Sequence, residues 1–157
     1  MVSANDIADA FLSRLASGRR VEAVKLHKLL YVAQGLHLGL YGEPLFVEPI
    51  EAWVSGPVVP DVHQYHSGEA LIRDGDYLGG NRGSLDDLEN GLVDYVTVHY
   101  GNRPFSDIRE WSMRRGMPWS RTVEREGNRG TISHEDIEEF FAREVVRIKD
   151  GGRPLPM

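Results

Sequence analysis

The sequence has no cysteine among its 157 residues. Disulfide frameworks, thiolate zinc sites and cysteine nucleophiles are therefore excluded. It also has no surplus of positive charge, because 18 lysines and arginines stand against 24 aspartates and glutamates, a formal net charge of −6. A general nucleic-acid binder is usually basic. No apolar run approaches the roughly 18 residues of a membrane-spanning helix, and the N-terminus lacks a signal-peptide layout, so we expect a cytoplasmic protein.

Amphipathic helices dominate what the sequence does contain. A first helix is predicted at residues 5–17, and Ser3 with Asp6 has the spacing of a capping box that would begin it. The strongest helical pattern covers residues 22–41. Its apolar stripe consists of Leu26, Leu29, Leu30, Ala33, Leu36 and Leu40. We interpret this stretch as a long central helix.

Two glycines, Gly35 and Gly39, lie four residues apart on the other side of this predicted helix. Glycine in a helix interior costs about 1 kcal/mol relative to alanine. A second backbone that packs closely against the helix would explain why two are found there.

The chain from residue 42 to residue 60 holds four prolines and cannot continue the helix. Within it, residues 50–54 predict a short strand, and a short helix beginning at Pro60 would turn Val62 and Tyr65 inward. Residues 67–83, rich in glycine and charge, predict a surface loop.

Three further helices are predicted in the C-terminal half. Ser84 and Asp87 have capping-box spacing before a helix at residues 84–100. Pro104 fits the first turn of the next helix, and Ser133 fits the N-cap of the last one.

These patterns predict a mainly α fold, because helical periodicity recurs and strand signals are few. No linker divides the chain, so we expect a single compact helical domain over residues 1–150, with a short β element around residues 45–55. Residues 151–157 are expected to form a flexible C-terminal tail.

Histidines are the first candidates for chemistry. His63 and His66 are three residues apart and would share a helix face, but a durable zinc site needs three or four ligands, so we expect neither a metal nor a cofactor. His37 and His99 fall on apolar stripes, where a buried neutral imidazole is the ordinary interpretation. No nucleophile or orienting carboxylate can be assigned to them, and we expect no enzymatic activity.

The first two helices leave an alternative open, a DNA-binding transcriptional regulator. With the short turn between them they have the layout of a helix-turn-helix, in which Lys25, His27 and Lys28 would reach DNA and Arg19 and Arg20 would contact phosphate. The length of the second helix, its apolar stripe and the acidity of the chain oppose this interpretation.

Residues 24–38, VKLHKLLYVAQGLHL, resemble the K-L-x-K-L-L-Y-x-x-Q-G-x-H-L helix of the Panacea domain, a family of antitoxins that includes SocA-like and phage-associated proteins. Residues 51–60, EAWVSGPVVP, look like the E-A-W-x-x-G-P-V-x-P segment of the same family. Residues 44–46, 100–101 and 118–119 match further positions, so the resemblance runs over most of the chain. The motif residues, to which we assign structural roles, are Lys25, Leu26, Lys28, Leu29, Leu30, Tyr31, Gln34, Gly35, His37, Glu51, Ala52, Trp53, Gly56, Pro57, Val58, Pro118 and Trp119.

One position departs from the family pattern. Ser112 and Met113 stand where the family commonly has Thr-His before its Pro-Trp pair. If a histidine at this position did chemistry in relatives, it cannot do so in this chain, which argues further against an enzyme.

The resemblance implies a helical domain that binds a toxin protein and neutralises it, the toxin usually being encoded beside it in a bacterial or phage genome. Toxins paired with this domain are of many unrelated kinds, so the resemblance does not identify this one. The expected partner is thus a cognate toxin, with no membrane and no nucleic acid.

The proline-rich segment at residues 53–65 is our candidate for the binding surface. Its prolines pre-organise the backbone, so that less entropy is lost on docking. A place in the core is the alternative for Trp53 and Val58. The candidate toxin-binding residues are Trp53, Val58, Val59, Asp61, Val62 and Tyr65.

Overall fold

A computed structural model describes residues 1–16 and 18–155. Within these ranges seven α-helices and five short strands enclose one hydrophobic core, and the fold is mainly α as predicted. The helices are α1 (Ala4–Leu15), α2 (Ala23–Tyr41), α3 (Pro60–His63), α4 (Asp87–Tyr100), α5 (Phe105–Ser112), α6 (Pro118–Glu126) and α7 (His134–Lys149). The strands are β1 (Arg20–Glu22), β2 (Glu51–Trp53), β3 (Gly56–Val58), β4 (Leu71–Arg73) and β5 (Gly130–Thr131).

Local sequence sets the ends of the first two long helices. The Ser3 hydroxyl accepts a hydrogen bond from the Asp6 backbone N–H, and the Asp6 carboxylate accepts one from the Ser3 N–H, which confirms the predicted capping box. α2 ends at Gly42, whose φ of 71° lies in the left-handed region that favours glycine.

α2 is buried along most of its length and packs against α1, α4, α5 and α7. Its most extensive contact is with α7. A Cβ atom on Gly35 would lie 2.3 Å from the ring of Phe141, and one on Gly39 would lie 2.6 Å from the Phe141 carbonyl oxygen. The close approach of a second backbone, predicted from the two glycines, is therefore confirmed.

Two small antiparallel sheets join segments that are distant in sequence. In the first, β1 pairs with β4, and Val21 stands opposite Ile72. In the second, β2 lies between β3 and β5, so that Ala52 faces Pro57 on one side and Gly130 on the other. The strand predicted at residues 50–54 is present as β2. The loop prediction for residues 67–83 was wrong at β4, because pairing with β1 supplies hydrogen bonds that the local sequence does not signal.

The start of α4 also differs from the prediction. The N-cap is Asp86, whose carboxylate accepts from the Glu89 N–H while the Glu89 carboxylate accepts from the Asp86 N–H. Ser84 instead ends a 3-10 turn that begins after Asn81. Two capping-box spacings overlap in this stretch, and the chain uses the second. By contrast, Ser133 caps α7 as predicted.

The C-terminal segment returns to the body of the protein. Leu155 is fully buried in the hydrophobic core, and Arg147 donates to the backbone carbonyl of Arg153 at 2.6 Å. The flexibility expected for residues 151–157 stays a prediction, and residues 156–157 lie outside the described residues.

Candidate functional site

The two motif segments of the sequence pack directly on each other. The hairpin of β2 and β3 lies against α2, and Lys28 of that helix is buried beneath it with no exposed surface. The Lys28 Nζ donates to the Pro57 carbonyl at 3.2 Å. Gly56 has a φ of 108°, and a Cβ there would lie 2.8 Å from the Lys28 Cε, so both conformation and space require glycine. Burial, reinforced by the positive charge of Arg109, lowers the pKa of Lys28 to about 7.

A second motif residue of α2, Gln34, holds the chain that leads to the hairpin. Its side-chain N–H donates to the Phe46 carbonyl at 2.8 Å, and its carbonyl oxygen accepts from the backbone N–H groups of Leu45 and Phe46. The amide thereby satisfies three buried backbone groups in a segment that has no strand partner of its own.

Two tryptophans tie the hairpin to α6. The Trp119 indole N–H donates to the Trp53 carbonyl at 2.8 Å, and the Trp53 indole N–H donates to the Glu51 carboxylate at 2.8 Å. The guanidinium of Arg129 lies over the Trp53 ring, 4.1 Å from its centre, and the His63 ring meets that indole edge-on. Through these contacts Trp53 connects β2 with α6, with His63 and with Arg129.

Three histidines, His27, His63 and His66, lie together beside the hairpin. The Val59 N–H donates to Nδ1 of His27 at 3.1 Å, so neutral His27 carries its proton on Nε2. That nitrogen lies 2.7 Å from Nε2 of His66 and donates to it. A metal ion between the two facing nitrogens would need a lone pair from each, which the Val59 bond denies to His27. Nowhere in the described part of the chain is there a group of side chains able to hold a metal.

The surroundings of His27 and His66 favour the neutral form of both side chains. Burial lowers the pKa of His27 well below its usual value, and the neighbouring His66 lowers it further. Burial and the nearby His63 lower the pKa of His66 in the same direction. A second proton on His66 would place two N–H groups face to face at the His27 contact.

We therefore expect the free energy of unfolding to fall as the pH drops below about 6.5. The unfolded chain protonates His27 and His66 near that pH, whereas the folded chain does so only at lower pH, so the unfolded state binds more protons in this window. Urea unfolding between pH 7.5 and 5 measures the effect. The variant His66→Leu, which removes the imidazole facing His27, should show a shallower pH slope than the wild type. Equal slopes for His66→Leu and the wild type would contradict the assignment.

The candidate binding residues of segment 53–65 are divided between core and surface. Val58, Val59 and Val62 are buried and offer no side-chain surface to a partner in this structure. Trp53 is half-buried, Asp61 is exposed, and Tyr65 is 45% exposed against Tyr77. The inward orientation predicted for Tyr65 was wrong, because α3 ends at His63 and the helical period stops before Tyr65.

The arrangement of a recognition helix is also contradicted. His27 and Lys28, expected to reach DNA, are 2% and 0% exposed, because their face of α2 is covered by the hairpin and α3. Lys25 is half-buried, while Arg19 and Arg20 are exposed. A recognition helix must leave that face free for the major groove.

Two further histidines, His37 and His99, and the position at which the motif differs from the family pattern, Ser112 and Met113, lie outside this histidine cluster. The core locations expected for His37 and His99 were wrong, since His37 is half-buried and His99 is exposed on α4. Ser112 is buried and donates to the Arg109 carbonyl at 2.9 Å, and Met113 follows the last turn of α5.

The sequence analysis missed an apolar groove where the C-terminal half of α2, the first half of α4 and the end of α7 meet. We name it the α2/α4/α7 groove. It has a volume of about 380 Å³ and is lined mainly by Leu36, Leu40, Leu88, Leu92, Tyr95 and Ile148. Periodicity assigns each of these residues to the face of one helix, but a groove between three helices has no signature in the sequence.

Comparison with known proteins gives one match. The family described as antitoxin SocA-like, Panacea domain, matches residues 26–120, which include the first motif segment from Leu26 onwards, the whole of the second segment and Trp119. No curated protein and no solved structure matches the chain. In the part of the chain that the structure describes, no helix is both long and apolar enough to cross a membrane.

Proposed function

The chain belongs to the SocA-like Panacea antitoxin family, and from this we propose that it neutralises a cognate toxin protein by binding it directly. Family membership over residues 26–120 is the observation that carries the proposal. It is supported by the contact of Lys28 with Gly56 and Pro57, since this places the family's two motif segments in one packed unit.

The proposed mechanism has no chemical step. Lys28, whose pKa is lowered by burial to about 7, and His27, whose pKa is lowered by burial well below its usual value, lie under the hairpin, where a substrate does not reach them. Their hydrogen bonds go to the backbone of the hairpin and its continuation, at Pro57 and Val59. These hydrogen bonds support a structural role for Lys28 and His27. They favour an antitoxin that acts by covering the toxin's surface and not by a chemical reaction.

Such a complex needs an apolar centre with a polar rim, and a stable interface buries on the order of 1,600 Å² in total. Among the residues that the structure describes, we consider two exposed surfaces for this role. One is the hairpin surface, formed by Trp53, Asp61 and Tyr65 together with Val54, which is 68% exposed. The other is the α2/α4/α7 groove, in which the apolar residues form a concave site. We propose that the toxin covers one or both of them.

The rest of the proposal follows the family. The toxin would be encoded next to this chain, in a bacterial or phage genome, and the two proteins would meet in the cytoplasm. The chain would act without cofactor, membrane or nucleic acid. A formal net charge of −6 favours rapid encounter with a basic toxin surface.

Growth of a bacterium that is induced to express each open reading frame flanking this gene, with and without this chain, tests the proposal. We expect one neighbour to arrest growth, and we expect co-expression of the chain to restore growth and to leave the two proteins bound through purification. An empty vector in place of the chain is the control. If neither neighbour causes an arrest that the soluble chain relieves, the proposal is wrong.

A further inference from the structure

The α2/α4/α7 groove is a concave surface of the described chain whose lining is mainly apolar. Large apolar side chains remain in solvent at its edges, with Leu40 41%, Tyr41 51% and Leu88 61% exposed. Scattered exposed apolar residues are normal on a monomer, but a contiguous set that surrounds a groove marks an interaction site.

The floor of the groove has room for side chains from outside. Gly91 lies in the second turn of α4, and a Cβ built on it would meet no atom within 4 Å. The helices on either side leave a volume of about 380 Å³. A leucine or phenylalanine side chain occupies roughly a quarter of such a volume, so the groove accepts a few large apolar groups, as grooves that bind amphipathic helices do.

The charges beside the groove are mostly negative. Asp87 and Glu89 line the groove from the first turn of α4, where two carboxylates outweigh the roughly half positive charge of the helix N-terminus. The facing cation is Lys149, which is exposed and free to turn away from the groove. A basic partner complements this rim.

A second copy of this chain fits the rim poorly. In a two-fold dimer the patch meets a second copy of itself, so two rims that each carry two carboxylates and one lysine would face each other with the same net negative charge. Like charges brought together in this way oppose association. The favoured occupant is thus a different protein whose surface is apolar at the centre and basic at the edge.

We propose that the α2/α4/α7 groove binds an amphipathic α-helix of the toxin, with large apolar residues on one face and lysine or arginine beside them. This inference rests on the proposed antitoxin function and names the partner's recognition element. Leu88 lies at the edge of the groove and would be covered by the docked helix.

Two matched variants of α4 test the inference. Leu88→Glu places a negative charge at the groove. Val98→Glu places the same charge on the same helix, ten residues further along the chain, at a position that is 63% exposed and does not line the groove. Both positions are exposed, so both variants are expected to fold, as thermal unfolding followed by circular dichroism checks.

The first measurement uses defined peptide probes. An 18-residue helical peptide with leucine on one face and lysine on the other is titrated with each protein by fluorescence anisotropy, alongside the peptide in which glutamate replaces lysine. We expect the lysine peptide to bind the wild type and Val98→Glu equally, and Leu88→Glu at least tenfold more weakly. The glutamate peptide should bind the wild type at least tenfold more weakly than the lysine peptide. Binding to Leu88→Glu that equals or exceeds binding to the wild type would show mere charge attraction and overturn the inference.

The second measurement uses the toxin found in the growth assay. Val98→Glu should restore growth as the wild type does, whereas Leu88→Glu should lose at least nine-tenths of the rescue. If the wild type itself gives no rescue, the antitoxin proposal fails. If Leu88→Glu rescues fully, only the groove assignment fails. A wild-type dimer in light scattering that Leu88→Glu converts to a monomer would assign the groove to a second copy and also overturn the inference.

Discussion

The variant Gly39→Ala is expected to lower the free energy of unfolding by about 1–2 kcal/mol, although alanine is the better helix former. The added Cβ would lie 2.6 Å from the carbonyl oxygen of Phe141 and 2.7 Å from its carbonyl carbon. These atoms belong to the backbone of α7, so they cannot rotate away, and α2 and α7 must separate. Overpacking of this kind costs typically 1–3 kcal/mol and at times more, which exceeds the gain of about 1 kcal/mol in helix propensity.

The matched control for this variant is Gly91→Ala. Gly91 also lies inside a helix, but a Cβ there meets no atom within 4 Å, so the propensity gain of roughly 0.5–1 kcal/mol should appear undiminished. Urea unfolding of the wild type and both variants gives the comparison. Two variants that both gain stability would contradict the close contact between α2 and α7.

The second large effect is expected for Lys28→Met, which should raise the free energy of unfolding at pH 7 by about 2–3 kcal/mol. Lys28 is fully buried, and its pKa is lowered from 10.5 to about 7. Each pKa unit corresponds to about 1.4 kcal/mol, so the lysine costs the folded state about 4 kcal/mol at pH 7. Methionine keeps the volume of the side chain but cannot donate a hydrogen bond to the Pro57 carbonyl. The loss of this bond costs about 1–2 kcal/mol and reduces the net gain in stability to about 2–3 kcal/mol.

The pH dependence of this difference identifies its cause. Between pH 7 and pH 10.5 the unfolded chain holds the Lys28 proton and the folded chain has lost it, so the stability of the wild type rises with pH relative to Lys28→Met. The expected rise is about 1.4 kcal/mol per pH unit. Unfolding of both proteins at pH 7, 8 and 9 measures it, because the other titrating groups cancel in the difference. A difference that does not change with pH would mean that Lys28 is charged in the folded protein.

Much of the helical framework could be predicted because its signals are local. The Ser3 and Ser133 caps and the paired glycines each depend on residues a few positions apart, and the structure bears them out. The predicted apolar stripe of α2 was wrong at Leu40, which is 41% exposed. The start of α4 was missed because two capping-box spacings overlap, and the 3-10 turn that ends at Ser84 decides between them.

The small strands were harder to predict because their stability comes from distant partners. β4 has a three-residue sequence in a glycine-rich and charged stretch, and only its pairing with β1 makes it a strand. β5 is shorter still and is held against β2, at Ala52.

The candidate sites show the same limit. The sequence around His27 was interpreted as a helix face that could reach DNA. In the structure His27 is buried, and its contacts are Val59 and His66, which is 39 residues away in the chain. Val58, Val59 and Val62 were named as candidate binding residues although a core position was left open for Val58 and an inward one was predicted for Val62, because proline-rich composition does not indicate which side of the segment faces the core. The α2/α4/α7 groove depends on how three helices meet, which no local pattern contains.

The central claim, neutralisation by direct binding, is tested most directly with purified proteins. The toxin identified by growth arrest is mixed with this chain, and the mixture is analysed by size-exclusion chromatography with light scattering and by calorimetric titration. The account predicts a single complex with a dissociation constant below about 1 µM, as expected of an interface of standard size, and Val98→Glu should form it too. Growth rescue by a chain that forms no complex with the toxin would contradict the account.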